Sequence, residues 1–415
     1  MTMKPHFITL SSVAVVAVAA ALLPNLGADP QKQPIAAAKT KAEPVAAKAA
    51  LPGWPMFRGG PNLQGLSGAK LATPLSLLWS AKTRGPVKSS AVIGENRVFI
   101  GSDDGHLYAF DAATGRELWK HKTGGPIEAS PMLLDGCVYI GSTDAFLHAL
   151  DAASGKPLWK HETGDKILGA ANWTASPDGK SKWVLVGSYD FKLHCLNAAT
   201  GKSNWVYETG NYINGSPAVD RGVTVFGGCD AMLHVISVAD GKKVKEIEAG
   251  AYVAGSASLV DGRAYFGHYE NAYQCIDLTK GSNVWTYKER NFAYFSSPAV
   301  TKDRVLFGGR DKRLHCVRLD NGDTVWTFPT QGKVDSSPVV TADGKVVFGS
   351  EDGRLYVVSL ADGKELWNYE IGQGITSSPA VVENLVVIGS EDGGVYAFAP
   401  PLTRPPRGAP AKAKE

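Results

Sequence analysis

The sequence predicts an all-β protein, an eight-bladed β-propeller of four-stranded antiparallel blades, and three observations predict it. The first is a period. The phrase GSDDGHLYAFDAATGRELW starts at Gly101, and its opening glycine recurs at Gly141, Gly187, Gly227, Gly267, Gly308, Gly349 and Gly389. Its closing tryptophan stands at Trp79, Trp119, Trp159, Trp205, Trp285, Trp326 and Trp367. Lys245 fills the remaining slot, and the spacings are 40, 40, 46, 40, 40, 41 and 41 residues. A repeat of this length with strand-like content is the mark of a propeller or related array.

The second observation is the content of one repeat. In residues 124–159 four apolar runs (126–133, 137–141, 147–150 and 157–161) are separated by short turn signals such as Asp135-Gly136. Four short strands joined by tight turns make one antiparallel blade. The third observation is an offset. Trp79 has no opening glycine before it, and Gly389 has no tryptophan after it. One blade is therefore split, its outer strand from residues 75–80 and its inner three from 375–398. Such a split closes the ring and leaves no open sheet edge between first and last blades.

Taken along the chain, Lys4 precedes an almost wholly apolar stretch of 17 residues, 7–23. This reads as a signal peptide over 1–28, cleaved near Ala28, or as a retained membrane anchor. Residues 29–50 are an Ala/Pro/Lys linker, 51–399 the propeller, and 400–415 a Pro/Ala/Lys tail. The net charge of +3 sits on the ends, since 1–50 and 400–415 each carry an excess of three positive charges. The disc is left at −3, so nucleic-acid binding by the disc has no electrostatic support. Cys195, Cys275 and Cys316 share a strand slot with small apolar residues and read as core thiols, Cys137 lies in another strand, and no disulfide framework is expected.

Repeated residues take structural readings. Gly115, Gly155, Gly201, Gly241, Gly281, Gly322 and Gly363 close the turn before the outer strand, and the tryptophans four residues later are inter-blade anchors. The acids Asp104, Asp144, Asp190, Asp230, Glu270, Asp311, Asp352 and Asp392 suit turns, because Asp bonds local backbone amides. His148, His194, His234 and His315 share a slot with Tyr108, Gln274, Tyr356 and Tyr396. They stand too far apart around the ring to converge on a metal, so packing with a hydrogen bond is expected.

The phrase ending DAATGRELW resembles the repeat of pyrroloquinoline-quinone-type (PQQ-like) propellers. Trp54-Pro55-Met56-Phe57-Arg58-Gly59 resembles the N-terminal motif of exported members. The resemblance covers nearly all of residues 52–399 and implies two branches. One is the PQQ-dependent alcohol and sugar dehydrogenases, which need the quinone, a bound calcium and a catalytic Asp. Many also carry adjacent cysteines; here no two cysteines are adjacent, and no heme-binding Cys-x-x-Cys-His occurs. The other is the BamB-like scaffolds of outer-membrane β-barrel assembly, which fits eight nearly bare blades. That branch is normally lipid-anchored through a cysteine after the signal, which this chain lacks. The expectation is an exported, non-catalytic scaffold of the periplasm or envelope membrane. It would have no cofactor and would contact an envelope protein, the β-barrel assembly insertase. The alternatives are a PQQ-dependent dehydrogenase and a carbohydrate- or peptide-binding propeller.

Two variable sets are the candidate binding positions, because a purely structural slot should repeat its residue. Lys88, Glu128, Leu168, Asn214, Ala254, Phe295, Asp335 and Thr376 are equivalent in the innermost strands and read as channel-lining, followed by serines such as Ser89, Ser216, Ser296, Ser336 and Ser377. The polar and aromatic members, Lys88, Glu128, Asn214, Phe295, Asp335 and Thr376, are the ligand candidates. The loops entering each blade carry Arg84, Asp165, Tyr212, Tyr252, Arg290, Asn291, Phe292 and Lys333 on the face of the acid turns. Arg84, Tyr212, Tyr252, Arg290, Phe292 and Tyr294 are the partner-face candidates, with exposed aromatics beside an arginine resembling an interaction hot spot.

Overall fold

The computed structural model describes residues 53–401; the expected signal or anchor, the linker and nearly all of the tail lie outside the described residues. Eight sheets appear, each with four antiparallel strands of the repeat. Blade 1 runs Val92–Gly94, Arg97–Gly101, His106–Asp111 and Glu117–Lys122 from the axis outward. Blade 8 is the split one. Ser76–Lys82 supplies its outer strand and pairs antiparallel with Gly394–Ala399, from Ser76 opposite Ala399 to Lys82 opposite Gly394.

The second and third strands read as unbroken apolar runs, and the reason is packing on two sides. Blades stand face to face, so Val98, Phe99 and Ile100 are all fully buried. The outer strands sit on the rim and alternate, as in Lys243–Glu248. The innermost strands are shorter than the apolar run suggests. Blade 2 has Met132–Leu134 as its inner strand in place of residues 126–133, because Ile127 gives its N–H to Ser102 O of blade 1 and Pro126 its carbonyl to Thr143 N–H, outside the ladder.

Six of the seven repeat tryptophans are anchors with two contacts; the seventh, Trp367, packs on Phe398 of blade 8 at 5.5 Å instead. Trp79 donates its indole N–H to Ala112 O at 3.0 Å in the next blade. A Cβ on Gly115 would come within 2.6 Å of the same ring, and Gly115 has φ +71°. The turn glycine is therefore required twice, by its backbone and by the indole lying on it. The bond recurs from Trp119, Trp159, Trp205, Trp285 and Trp326 to Ala152, Ala198, Val238, Leu319 and Leu360. Lys245 keeps half of this device: its Nζ donates to Thr279 O at 2.6 Å, one residue beyond Leu278, whose carbonyl stands where an indole would have bonded.

In blades 1, 2, 3, 4 and 7 the acid turn fastens the loop entering the blade. Asp144 accepts N–H bonds from Phe146 at 3.0 Å, within its own turn, and from Gly124 at 2.8 Å, in the incoming loop. It also takes the ring of His148 at 3.0 Å. Asp190 and Asp230 repeat this with His194 and His234, while Asp104, Asp352 and Asp392 hold Tyr108, Tyr356 and Tyr396. The acids and the His/Tyr set are thus one motif, joined four residues apart in every blade but blade 5, where Gln274 meets His268 rather than Glu270. The ring partner then packs on the neighbouring blade, as His121 does on His148 at 5.6 Å and His161 on His194 at 5.4 Å. Cys195, Cys275 and Cys316 are buried free thiols, as read; Cys137 and Cys229 are half-buried.

Residues 54–70 form a strap across the disc, on the face opposite the acid turns. Innermost strands present open edges to the axis, and an open edge needs a partner. Trp54 exchanges both backbone bonds with Ile93 of blade 1, each at 2.8 Å. The carbonyl of Pro55 then takes Leu133 N–H of blade 2, and that of Pro61 takes Val219 N–H of blade 4. Asn62, Gln64 and Gly65 take Leu259, Val300 and Val340 of blades 5, 6 and 7, and Lys70 takes Asn384 of blade 8. In blade 3, Asn172 donates its amide to Pro61 O at 2.7 Å. Leu66–Ser67 even pairs parallel with Val339–Thr341 as a fifth strand of blade 7. The strap visits the blades in order, and Phe57 lies across the axis as the floor of the channel.

Arg58 is the strap's inward peg. Only 2% exposed, it donates Nη2 to Pro298 O at 2.6 Å, and desolvation pushes its pKa down to about 9. Gly65 must be glycine to admit it, since a Cβ there would stand 1.9 Å from Nη2.

Candidate functional site: the one-ended channel and its mouth

With Phe57 below, the axial channel is a pit of about 190 Å³ open toward the acid turns. Lys88, Glu128, Leu168, Asn214, Ala254, Phe295, Asp335 and Thr376 all line it. One register is corrected. Ser89, Ser296, Ser336 and Ser377 turn into their own blades, where the hydroxyl oxygen accepts the N–H of the repeat glycines Gly101, Gly308, Gly349 and Gly389. The serines that line the pit are Ser90, Ser130, Ser216, Ser256, Ser297, Ser337 and Ser378, with Ala170 in blade 3. They form a belt. Ser216 N–H donates to Ser256 Oγ at 2.8 Å, Ser256 to Ser297 at 3.0 Å, Ser297 to Ser337 at 2.9 Å, and Ser378 to Ser90 at 2.8 Å.

A second variable ring lies above the first, at the position two residues after each repeat glycine: Asp103, Thr143, Tyr189, Cys229, Tyr269, Arg310, Glu351 and Glu391. The same test of unequal chemistry in an equal slot would have found it. The two rings interlock. Lys88 Nζ bridges Asp103 at 2.9 Å and Glu128 at 3.4 Å, and the bond to Asp103 raises its pKa despite partial burial. Arg310 grips Asp335 through Nε and Nη2, at 3.1 and 2.7 Å, and lies 3.7 Å over the Phe295 ring. Thr376 donates to Glu391 at 3.2 Å, and Asn214 to Cys229 Sγ at 2.9 Å.

The mouth is lopsided. Blades 6, 7, 8, 1 and 2 carry the ion pairs. Blades 3 to 6 carry aromatics: Tyr189 stacks on Tyr212 at 4.6 Å, Tyr252 meets Tyr269 at 6.2 Å, and Tyr269 meets Phe295 at 4.5 Å. Tyr212, Tyr252 and Phe292 are 39, 51 and 47% exposed, and Tyr269, which sequence reasoning passed over, is 47% exposed. Arg84 and Arg290 are exposed too. Tyr294 is a correction: it is fully buried, packed edge-on to Phe307 at 5.3 Å and His315 at 5.5 Å, and offers nothing to a partner. Lys245 belongs to the inter-blade anchors rather than to this face.

The residues of the pit do not fit a calcium-held quinone. Its carboxylates are engaged singly, with Lys88, Arg310 and Thr376, and among the described residues no three of His, Cys, Asp or Glu gather as a metal-ligand group. The cavity is also below the roughly 300–1,000 Å³ of ordinary cofactor-sized pockets.

Fold, strap and mouth define an eight-bladed propeller of the PQQ-like repeat class with a one-ended channel. The chain belongs to the family described as outer membrane protein assembly factor BamB, whose profile matches residues 72–209, 144–326 and 310–400. Among solved structures it is similar to BamB from Moraxella catarrhalis, with a TM-score of 0.66 and 18% identity over 79% of this chain and 100% of that one. It is equally similar to the computationally designed Ika8 protein, with a TM-score of 0.68 and 16% identity over 78% of this chain and 99% of that one. At such identities these likenesses speak for the fold alone. No curated protein sequence matches the chain.

Proposed function

We propose that this protein is an exported envelope scaffold that docks a protein partner on the acid-turn face, in the manner its family name implies, with the β-barrel assembly insertase as that partner. The observation that carries the reading is the lopsided mouth: exposed Tyr212, Tyr252, Tyr269 and Phe292 beside Arg290, gathered on one face of the disc. Aromatics and arginine on a rigid support lose little conformational entropy on binding and are where interface energy concentrates. Arg84 extends the same face across blade 1. Export rests on the N-terminal apolar stretch, and membrane association would run through it.

The test is crosslinked capture from envelope membranes with the full chain as bait. Recovery of the insertase, lost in Tyr252→Ala and in Arg290→Glu but kept in Lys122→Ala on the rim, establishes the reading. Capture that ignores both substitutions, or that lacks the insertase, refutes it.

A further inference from the structure

We infer that the pit is a receptor for an alkylammonium group, a lysyl side chain or a free primary amine, entering from the acid-turn face. The inference deepens the docking proposal by giving the pit within that face an occupant, and it can fail or succeed independently of any partner.

Access comes first. The strap seals one end with Phe57, so whatever enters does so past the variable rings and stops at the serine belt. Size comes second. About 190 Å³ suits one side chain or a small molecule and is too little for a cofactor-sized ligand.

Charge and hydrogen bonding decide the class. Around the pit and its mouth Lys88, Lys166, Arg310 and Lys333 face Asp103, Glu128, Asp335, Glu351 and Glu391, one more carboxylate than cations, so the charge balance does not favour an anion. Asn214 lines the same cavity with its Oδ1 buried and without a partner, an acceptor that calls for a donor. An ammonium brings three donors and no acceptor. Below, each belt serine spends one lone pair on a backbone N–H and keeps the other for a donor in the pit.

The aromatic half adds a surface that already takes cations. Arg310 sits 3.7 Å over Phe295, and Lys166 sits 4.5 Å over Tyr189. Ring faces attract ammonium and guanidinium groups, more strongly when these are desolvated. Leu168 and Ala254 give the alkyl stem apolar wall.

The experiment is ligand-observed NMR on the full-length protein with n-butylammonium, beside n-butanol and butyrate as matched neutral and anionic probes. Saturation transfer to butylammonium alone, competed by Nα-acetyl-lysine amide, is the expected result. Glu128→Gln and Asn214→Leu should each weaken it several-fold with an unchanged melting curve; Tyr269→Leu, which leaves the acceptors intact, should weaken it less. Equal signals from butanol, a stronger signal from butyrate, or no signal from butylammonium overturns the proposal. Where the amine binds, the capture experiment identifies its source. Loss of the captured partner on adding butylammonium assigns the group to a partner's lysine, and undisturbed capture assigns it to a free amine.

Discussion

The tryptophan ring at the rim and the two variable rings at the mouth occupy the same repeat, yet they obey opposite rules. At the rim one residue and one bond recur: an indole N–H on the next blade's carbonyl, over a glycine. Of the two exceptions, Lys245 restores a donor at 2.6 Å and Trp367 packs on Phe398 of the next blade. At the mouth the backbone is just as regular, but acid, base, amide, thiol and aromatic follow one another around the axis. Repetition marks what the ring needs eight times over. Variation marks positions the fold leaves free, and recognition can be written only there.

The comparison can be broken most forcefully at the rim. Trp285→Ala removes a ring 7% exposed and its bond to Leu319 O, and should cost about 3–5 kcal/mol in denaturant melts. Thr376→Val at the mouth should stay within about 0.5 kcal/mol. Equal losses would erase the distinction.

The strap comes next. Gly65→Ala sets a Cβ against Arg58 at a φ of +69°, and should cost about 1–3 kcal/mol. The loss should appear as faster amide exchange at Leu259, Val300 and Val340, with the rim amides unchanged. Uniform acceleration would mean that the strap is part of the global unit.

Acid probes the acid-turn motif that lies between rim and mouth. Burial lowers the pKa values of His121, His148 and His161, and the facing rings His148 and His194 lower those of His121 and His161 further. The unfolded state therefore binds protons first as pH falls below about 6.5, and stability declines from there. A second loss belongs to Asp190. Burial opposes its charge, but the bonds from His194 and Gly164 N–H hold its pKa at about 2, so its contribution is lost between its unfolded pKa of about 4 and 2. Replacing His121 and His161 by Phe should shrink the first decline in a melting-temperature profile, leaving the share of buried His148, and should leave the second intact. The smallest effect is expected from Lys245→Trp, a gain of up to about 1 kcal/mol if the slot accepts the indole its siblings hold; a loss would show that blade 4 has adapted around the lysine.

Blade number, closure through residues 75–80 and the channel set were legible because each is a matter of period and phase. The strap was not. Its blade-to-blade bonds run mostly from carbonyls to backbone N–H groups, those of Pro55, Pro61, Asn62, Gln64, Gly65 and Lys70, and side-chain identity carries little trace of these. Tyr294 was misplaced because Phe292 and Tyr294 stand two apart in one irregular loop, where alternation gives no reliable side; one points out and the other fills the gap beside Phe307. The pairing of Asp144 with His148 and of Asp352 with Tyr356 escaped because the acids and the rings were weighed as separate sets, although both sit at constant offsets from the same glycine.

The strap also orders events in time. It is among the first parts of the propeller to be synthesised, and its last partners, such as Val381 for Ser67, lie 314 residues further along. Contacts that distant are slow to form, because the intervening loop must be closed first. Trp54 can pair with Ile93 early, but the far end of the strap, residues 62–70, is satisfied only when the inner strands of blades 5 to 8 are in place to receive it. A seated strap is the molecule's own record that all eight blades are present and in sequence.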